Sequence, residues 1–184
     1  PLLAAPAGAA AGGRGANFRV WAPYAGTMAV RLLSGKPRTV RMKKCGGGYW
    51  EAFVPGARPG ALYKYIIDGG DERPDPASAF QPQGVHGPSE VTDQSSFKWD
   101  DRAWKGIPPE QMIIYELHPG TFTFGGGFAG VEEKLPYLKG LGITTVELMP
   151  VAQFPGSRNW GYDGAYPYAV QNSYGGPQGL KKLV

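Results

Sequence analysis

The stretch ITTVELMPVAQFPGSRNWGYDGAYPYAVQNSYGG, residues 143–176, decides the fold of this chain. Its first part, residues 143–149, is apolar and β-branched, which predicts a buried strand. The remainder shows neither helical nor strand periodicity, so we predict a long surface loop. Loops longer than ~12–15 residues are uncommon and are usually functional or disordered. The many aromatic residues argue against disorder, because disordered segments are depleted in them.

The loop combines aromatic rings with charged and amide groups. The rings are Phe154, Trp160, Tyr162, Tyr166, Tyr168 and Tyr174, and the polar groups are Arg158, Asn159, Asp163 and Asn172. A flat ring can stack on the apolar face of a sugar, while carboxylates and amides bond its hydroxyls. This combination favours a carbohydrate site. The alternative, that the aromatic residues only pin the loop to its own scaffold, stays open at this point.

A βαβ unit precedes and includes this stretch. The apolar run MIIYEL (112–117) is typical of a strand buried on both faces. Residues 128–142 show helical spacing, with Pro136 predicting a kink or a late start and Gly142 a stop. The strands at 112–117 and 143–149 should therefore be parallel. Gly176-Pro177 predicts the start of a second helix.

The preceding part of the chain has a different pattern. Short β-type runs recur about every ten residues between Gly, Pro and Ser turns, which indicates an antiparallel β-sandwich. Its aromatic residues favour core packing over a sugar platform; they are Trp21, Tyr49, Trp50, Phe53, Tyr63 and Tyr65. The basic run Arg38–Lys44 favours a solvated strand face over an anion or nucleic-acid patch.

These patterns divide the chain into consecutive segments. We predict a flexible Ala/Gly-rich tail over 1–15, an immunoglobulin-like β-sandwich over 16–70 and a proline-rich ordered linker over 71–110. Residues 111–184 are predicted to form the first two βα units of a (β/α)8 TIM barrel. Because such a barrel takes about 250 residues, we expect the barrel to be truncated here.

Composition limits the compartment and the partners. The chain has 184 residues, a net charge of +4 and one cysteine, Cys45, so no internal disulfide can form. A reducing, cytoplasmic compartment fits this composition. No stretch approaches the ~20 apolar residues of a membrane helix. His86 has no second ligand nearby, which argues against a metal role for it. We also predict no metal or organic cofactor, and neither nucleic acid nor membrane as a partner.

Several segments resemble glycoside hydrolase family 13, the α-amylase superfamily. They are IIYELHPGTF (113–122), EKLPYLKGLGITTVELMPV (133–151) and FPGSRNWGYDGAYPYAVQNSYGGPQGLKKLV (154–184). The β-domain resembles the carbohydrate-binding-module-like sandwich that precedes the barrel in branching and debranching enzymes. The segment RNWGYDGAYPYA (158–169) is more similar to the corresponding segment of family members that release trehalose than to that of branching enzymes.

The resemblance implies a retaining α-glucan hydrolase. It would cleave the α-1,4 bond next to the terminal trehalose of maltooligosyl trehalose and release trehalose, using two carboxyl groups ~5–5.5 Å apart. In this family the catalytic carboxylates follow later barrel strands. We therefore expect no catalytic residue in this stretch, and we expect the stretch to be inactive alone. Two alternatives are a 1,4-α-glucan branching enzyme and a non-catalytic glucan-binding module.

The resemblance also assigns substrate-binding residues. Tyr162 matches the family tyrosine that stacks on the sugar just before the scissile bond, and Trp160 and Asp163 flank it. Trp160 has loop packing as an equal alternative, and Asp163 has a turn role, because Asp-Gly favours turns. For His118, at the end of the first barrel strand, a structural hydrogen bond is favoured over contact with substrate.

Overall fold

The computed structural model describes residues 7–184 and consists of a β-sandwich followed by a βαβ unit. The sandwich strands are β1 (Gly8–Gly12), β2 (Gly15–Trp21), β3 (Met28–Leu32), β4 (Arg38–Arg41), β5 (Lys43–Lys44), β6 (Tyr49–Pro55), β7 (Leu62–Ile67), β8 (Glu72–Arg73) and β9 (Ser89–Glu90). One sheet has the order β1-β2-β6-β5, and the other has the order β4-β3-β7-β8 with β9 also paired to β7. The predicted sandwich is confirmed.

The core lies between these two sheets because side chains alternate along each strand. On β2, Ala16, Phe18 and Val20 face inward, while Asn17 and Trp21 are exposed. The other strands contribute Met28, Val30, Leu32, Trp50, Val54, Tyr63 and Tyr65. Among the predicted aromatic residues, Trp50, Tyr63 and Tyr65 are therefore core.

The first strand corrects the predicted tail. The flexible tail over 1–15 is wrong for Gly8–Gly12, which pairs antiparallel with β2; the remainder up to residue 6 lies outside the described residues. Small residues serve here because backbones approach closely: a Cβ added at Gly8 would lie 2.8 Å from the Ala77 carbonyl oxygen. Pairing with β2 thus stabilises this strand, although alanine has a low intrinsic propensity for strands.

The predicted linker over 71–110 contains β8 and β9, which extend the sheet through β7. Between them lies the buried carboxyl group of Asp75. It accepts hydrogen bonds from the hydroxyls of Tyr63 at 2.7 Å and Tyr65 at 3.3 Å. Burial raises the pKa of Asp75, and burial together with the Asp75 charge raises the pKa of both tyrosines. This segment is therefore fastened to the sandwich core.

The βαβ unit consists of β10 (Ile114–Leu117), α1 (Gly127–Gly140) and β11 (Thr145–Leu148). Its strands are parallel, as predicted, with Ile114 opposite Thr145. The predicted late start of the helix is wrong, because α1 begins at Gly127 and continues through Pro136. Gly142, with a φ of 90°, follows its end and lies in the left-handed region that favours glycine.

The predicted burial of β10 on both faces is wrong for this chain. Leu117 is buried, but Ile113 and Ile114 are each 55% exposed. Leu117 packs with Val131 and Leu138 of α1 in one cluster. The helix covers one face of the two-stranded sheet, and the other face is open among the residues described.

The stretch after β11 contains more regular structure than predicted. It holds β12 (Ala152–Gln153), which pairs antiparallel with β13 (Tyr166–Val170), and it leads into α2 (Gly176–Leu183). The α2 helix begins at Gly176-Pro177 as predicted.

Two buried glutamines replace backbone partners in this stretch. The Gln171 side chain accepts from the Phe154 N–H at 2.9 Å, and the Gln153 side chain accepts from the Asn172 N–H at 3.0 Å. Within residues 7–184, no helix has the length and apolar character needed to cross a membrane.

Candidate functional site

The carboxyl end of β10 supplies His118, a half-buried side chain that contacts the loop after β11. Its Nε2 lies 2.6 Å from the Asn159 carbonyl oxygen, and its Nδ1 lies 3.2 Å from the Thr121 hydroxyl. A carbonyl only accepts, so Nε2 carries a proton, and in the neutral imidazole Nδ1 then accepts from the Thr121 hydroxyl. The structure therefore gives His118 the hydrogen-bonding role that the sequence favours.

The loop after β11 folds back onto the end of that strand at Gly161. This residue is buried, has a φ of 99° and packs so closely that an added Cβ would lie 2.2 Å from the Pro150 carbonyl oxygen. Only glycine fits both the positive φ and the contact. Tyr162, the next residue, is thereby placed at the carboxyl ends of β10 and β11, the face where barrel active sites lie.

The amide of Asn159 spans this turn. Its Oδ1 accepts from the Gly161 N–H at 2.7 Å, and its Nδ2 donates to the Asp163 carboxylate at 2.7 Å. The first bond is an Asx-turn, a local side-chain substitute for a backbone turn. Asp163 is exposed, and its Oδ2 oxygen accepts the Asn159 bond.

Two aromatic rings project from this braced turn. Trp160 is 71% exposed and Tyr162 is 70% exposed. The Trp160 ring meets the His118 ring edge-to-face, with centroids 5.8 Å apart. Trp160 therefore has a packing partner and also a free surface. Tyr162 offers an exposed ring to solvent, as a stacking residue must.

A buried tyrosine, Tyr174, supports the site from beneath. The Tyr174 hydroxyl lies 3.2 Å from His118 Nε2 and 3.5 Å from the Asn159 carbonyl oxygen. Its ring packs edge-to-face against Phe128 and Phe154. Burial raises the pKa of Tyr174, so this hydroxyl keeps its proton and remains available as a donor.

Beside this turn lies an open cavity of about 690 Å³, and neither Tyr162 nor Tyr174 is among the residues that line it. Its lining includes His118, Thr121, Ser157, Arg158, Asn159, Trp160 and Asp163. Among these described lining residues Asp163 is the one carboxylate, so the lining lacks the pair that glycoside hydrolysis uses. In the part of the chain that the structure describes, no cluster of three or more His, Cys, Asp or Glu side chains is arranged to hold a metal ion.

Sequence reasoning missed the bracing function of Asn159, Thr121 and Tyr174. A signal for Asn159 exists, because an Asn two residues before a Gly is the pattern of an Asx-turn. The contacts of His118 with Asn159 and Tyr174 join residues 41 and 56 positions apart in the chain. No local pattern reveals such a pairing.

The sandwich offers fewer candidates for a sugar platform. Trp21 and Phe53 are exposed on the outer face of the first sheet. Tyr49 lies under the Arg19 guanidinium, which is 4.2 Å from the ring centroid. One face of the Tyr49 ring is thus already covered.

Two protein-family models match the sequence of this chain. Residues 83–184 match the α-amylase catalytic domain, and residues 4–81 match carbohydrate-binding module 48, the isoamylase N-terminal domain. The first match covers more than half of the chain. This chain belongs to the α-amylase family. The fold predicted from the sequence, a sandwich module followed by the start of an α-amylase barrel, is confirmed.

Individual members of the α-amylase family are also similar to this chain. The chain is 50% identical, over 92% of its length, to malto-oligosyltrehalose trehalohydrolase of Saccharolobus solfataricus. It is 46% identical, over 94% of its length, to the enzyme of that name from Deinococcus radiodurans. A 1,4-α-glucan branching enzyme of Nitratidesulfovibrio vulgaris is 34% identical over 94% of the chain. The chain covers 30%, 28% and 30% of these proteins.

A solved structure agrees over nearly the whole chain. A Salmonella typhimurium protein described as an α-amylase superposes with a TM-score of 0.91 and 41% identity, covering 99% of this chain and 31% of that one. The chain therefore spans about a third of the length of the α-amylase family proteins that it matches.

Proposed function

We propose that this chain supplies the N-terminal sandwich and the start of the barrel of a retaining α-glucan hydrolase. The enzyme cleaves the α-1,4 bond next to the terminal trehalose of maltooligosyl trehalose and releases trehalose. Identity to two trehalohydrolases, at 50% and 46%, supports this choice. The observation that carries it is the exposed Tyr162 ring, held at the ends of β10 and β11 by a braced turn.

In this proposal Tyr162 stacks on the sugar that precedes the scissile bond. Trp160 extends the apolar surface, and Asp163 shapes the subsite through its bond with Asn159. The nucleophile and the acid/base carboxyl group come from later strands of the completed barrel, since Asp163 is the only carboxylate among the described lining residues.

The surface around the site agrees with the assignment of the catalytic carboxyl groups to later barrel strands. The open face of β10, which includes Ile114, would face the interior of a completed barrel. No metal or organic cofactor takes part in the proposed reaction. The free Cys45 and the absence of any disulfide-forming partner for it in the sequence support a reducing, cytoplasmic location.

The test is an assay of the complete gene product with maltooligosyl trehalose. We expect free trehalose to be released. Tyr162→Ala should lower kcat/KM about tenfold or more, equivalent to ~1.4 kcal/mol of lost transition-state stabilisation. Tyr137→Ala, which removes a ring 61% exposed on α1 away from the cavity, is the control and should leave kcat/KM unchanged. Equal loss in both variants, or no trehalose from the parent enzyme, contradicts the proposal.

A branching enzyme is the second candidate, supported by the 34% identity to the Nitratidesulfovibrio vulgaris enzyme. The products separate the two reactions. Hydrolysis yields free trehalose, whereas branching transfers a glucan segment and forms new branch points without it. Branched glucan as the main product would replace the first proposal by the second.

A non-catalytic glucan-binding role is the third candidate, supported by the carbohydrate-binding module match over residues 4–81. Titration of the 184-residue chain with maltoheptaose, followed by tryptophan fluorescence, tests it directly. A saturable change indicates independent binding. A flat response up to millimolar sugar excludes it.

A further inference from the structure

We infer that Asn159 is the positioning residue of this site, and that it aims Tyr162 through its side-chain amide without contacting sugar. The inference rests on the proposed function of Tyr162. The sequence placed Asn159 among the polar groups of the loop but assigned it no positioning role. The geometry around Asn159 carries the argument.

The side-chain amide of Asn159 forms one hydrogen bond with the residue before Tyr162 and one with the residue after it. Oδ1 accepts from the Gly161 N–H, and Nδ2 donates to the Asp163 carboxylate, each at 2.7 Å. The backbone is thus fixed immediately before Tyr162, and the side chain immediately after it is fixed as well. Because Cβ direction follows the backbone, these two bonds set the direction in which the Tyr162 side chain leaves the main chain.

The Asn159 main chain connects the same turn to the scaffold. Its carbonyl accepts from His118 Nε2 at 2.6 Å, and the Tyr174 hydroxyl lies 3.5 Å from the same oxygen. His118 also packs against Trp160. These contacts fix the position of the turn relative to the carboxyl end of β10. The close packing of Gly161 on Pro150 fixes its position relative to β11.

Only a side chain with one acceptor and one donor can make both amide bonds. An aspartate at position 159 would keep the acceptor for Gly161 but lose the donor for Asp163. Two carboxylates would then face each other across the present 2.7 Å contact, and like charges in contact repel. Position 163 has a weaker requirement, since an asparagine oxygen there would still accept from Asn159 Nδ2.

This asymmetry makes a reciprocal exchange the decisive experiment, done with the complete gene product and maltooligosyl trehalose. N159D should lower kcat/KM about tenfold or more, and D163N is measured beside it as the reference for what the Asp163 charge contributes by itself. The double variant N159D/D163N restores one donor facing one acceptor. It should recover to within about threefold of D163N, a non-additive result that reveals direct coupling.

The Tyr162→Ala background separates positioning from general stability. If Asn159 acts by aiming Tyr162, N159D should cause little further loss of kcat/KM once that ring is absent. A merely structural effect would lower kcat/KM by the same factor in both backgrounds. Thermal unfolding of all variants, recorded in parallel, should give similar Tm values.

Specific results would overturn the inference. A double variant as impaired as N159D shows that the amide of Asn159, or the charge of Asp163, acts independently of their mutual bond. If N159D fails to fold, the double variant still decides, because it contains the same substitution with its complement.

The outcomes also separate this inference from the proposed function. If Tyr162→Ala leaves kcat/KM unchanged, the stacking role fails and the positioning role fails with it. If Tyr162→Ala impairs the enzyme while N159D does not, the proposed function stands and only the positioning role of Asn159 is lost.

Discussion

The sandwich and the βα region keep their order by different means. In the sandwich, Phe18, Val30 and Tyr63 are fully buried in a continuous core between two sheets. In the βα region, β10 exposes most of its apolar side chains, and the site loop is held by polar side chains such as Asn159 and Gln171. The difference teaches that hydrophobic burial determines whether this chain folds, whereas hydrogen bonds determine whether its candidate site is shaped.

The largest effect is expected from truncating the sandwich core. Phe18→Ala removes a fully buried ring that packs edge-to-face on Tyr63, and should lower the free energy of unfolding by about 3–5 kcal/mol. Urea denaturation measures the loss. Phe53→Ala, on the outer face of the same sheet and 49% exposed, should cost about 1 kcal/mol. Similar losses at both positions would show that the inner face does not dominate stability.

The next largest effect is expected from removing Asp75, a polar residue buried in the sandwich. Asp75→Ala leaves the buried hydroxyls of Tyr63 and Tyr65 without their acceptor, and should cost about 2–3 kcal/mol. The same denaturation assay applies. Asp71→Ala, whose side chain is 78% exposed, is the control and should change stability little. Equal effects at the two positions contradict a structural role for Asp75.

The pH dependence of Asp75 gives a separate prediction. Burial raises its folded-state pKa above the ordinary value of 3.8, so the folded state binds this proton more tightly than the unfolded state. Its contribution to stability is therefore fully present below that ordinary value and is lost as pH rises through the folded pKa. Asp75→Asn should remove this fall from a series of unfolding curves between pH 3 and 7. An unchanged pH profile would contradict it.

A smaller and local effect is expected at the site turn. Gly161→Ala forces a side chain into a left-handed conformation, at a cost of about 1–2 kcal/mol, and places Cβ against the Pro150 carbonyl. Hydrogen exchange should accelerate in peptides covering 155–165, while β2 and β6 stay protected. Gly156→Ala, also at positive φ but with no atom nearby, is the matched control. It should show the smaller acceleration.

The smallest effect is expected on the open face of β10. Ile114→Ser, at a side chain 55% exposed, should change the stability of the 184-residue chain by about 0.5 kcal/mol or less. Leu117→Ser, three residues along the same strand and buried against α1, should destabilise it clearly. Thermal unfolding of the two variants compares the faces. Equal destabilisation would mean that both faces are covered.

Sequence reasoning succeeded where periodicity is strong. The alternation in Gly15–Trp21 and the turn residues around Tyr49–Pro55 placed the sandwich strands, and Gly142 marked the end of α1. It failed at Gly8–Gly12, because alanine and glycine carry no strand signal and the strand forms by pairing with β2. It also failed at β10, because an apolar run does not reveal which of its faces is covered.

The candidate site was predictable in its aromatic residues but not in its support. The exposure of Tyr162 and Trp160 agrees with a stacking surface, and their assignment as substrate-binding residues stays a prediction. The role of Asn159 depends on His118, which lies 41 positions away. Contacts of this kind arise only when β10 and β11 pair, so single-sequence patterns contain no trace of them.

The segment that follows Asp75 has a consequence for protein engineering. Its Ser89–Glu90 strand pairs with β7, while the carbonyls of Pro82 and Val85 accept hydrogen bonds from Asn172 and Tyr166, which lie after β13 and at its start. The family boundary near residue 82 therefore divides a segment that both sides share. A chimera that exchanges sandwich modules between relatives should move this segment together with its acceptors and donors, because a crossover at the boundary would pair unmatched surfaces.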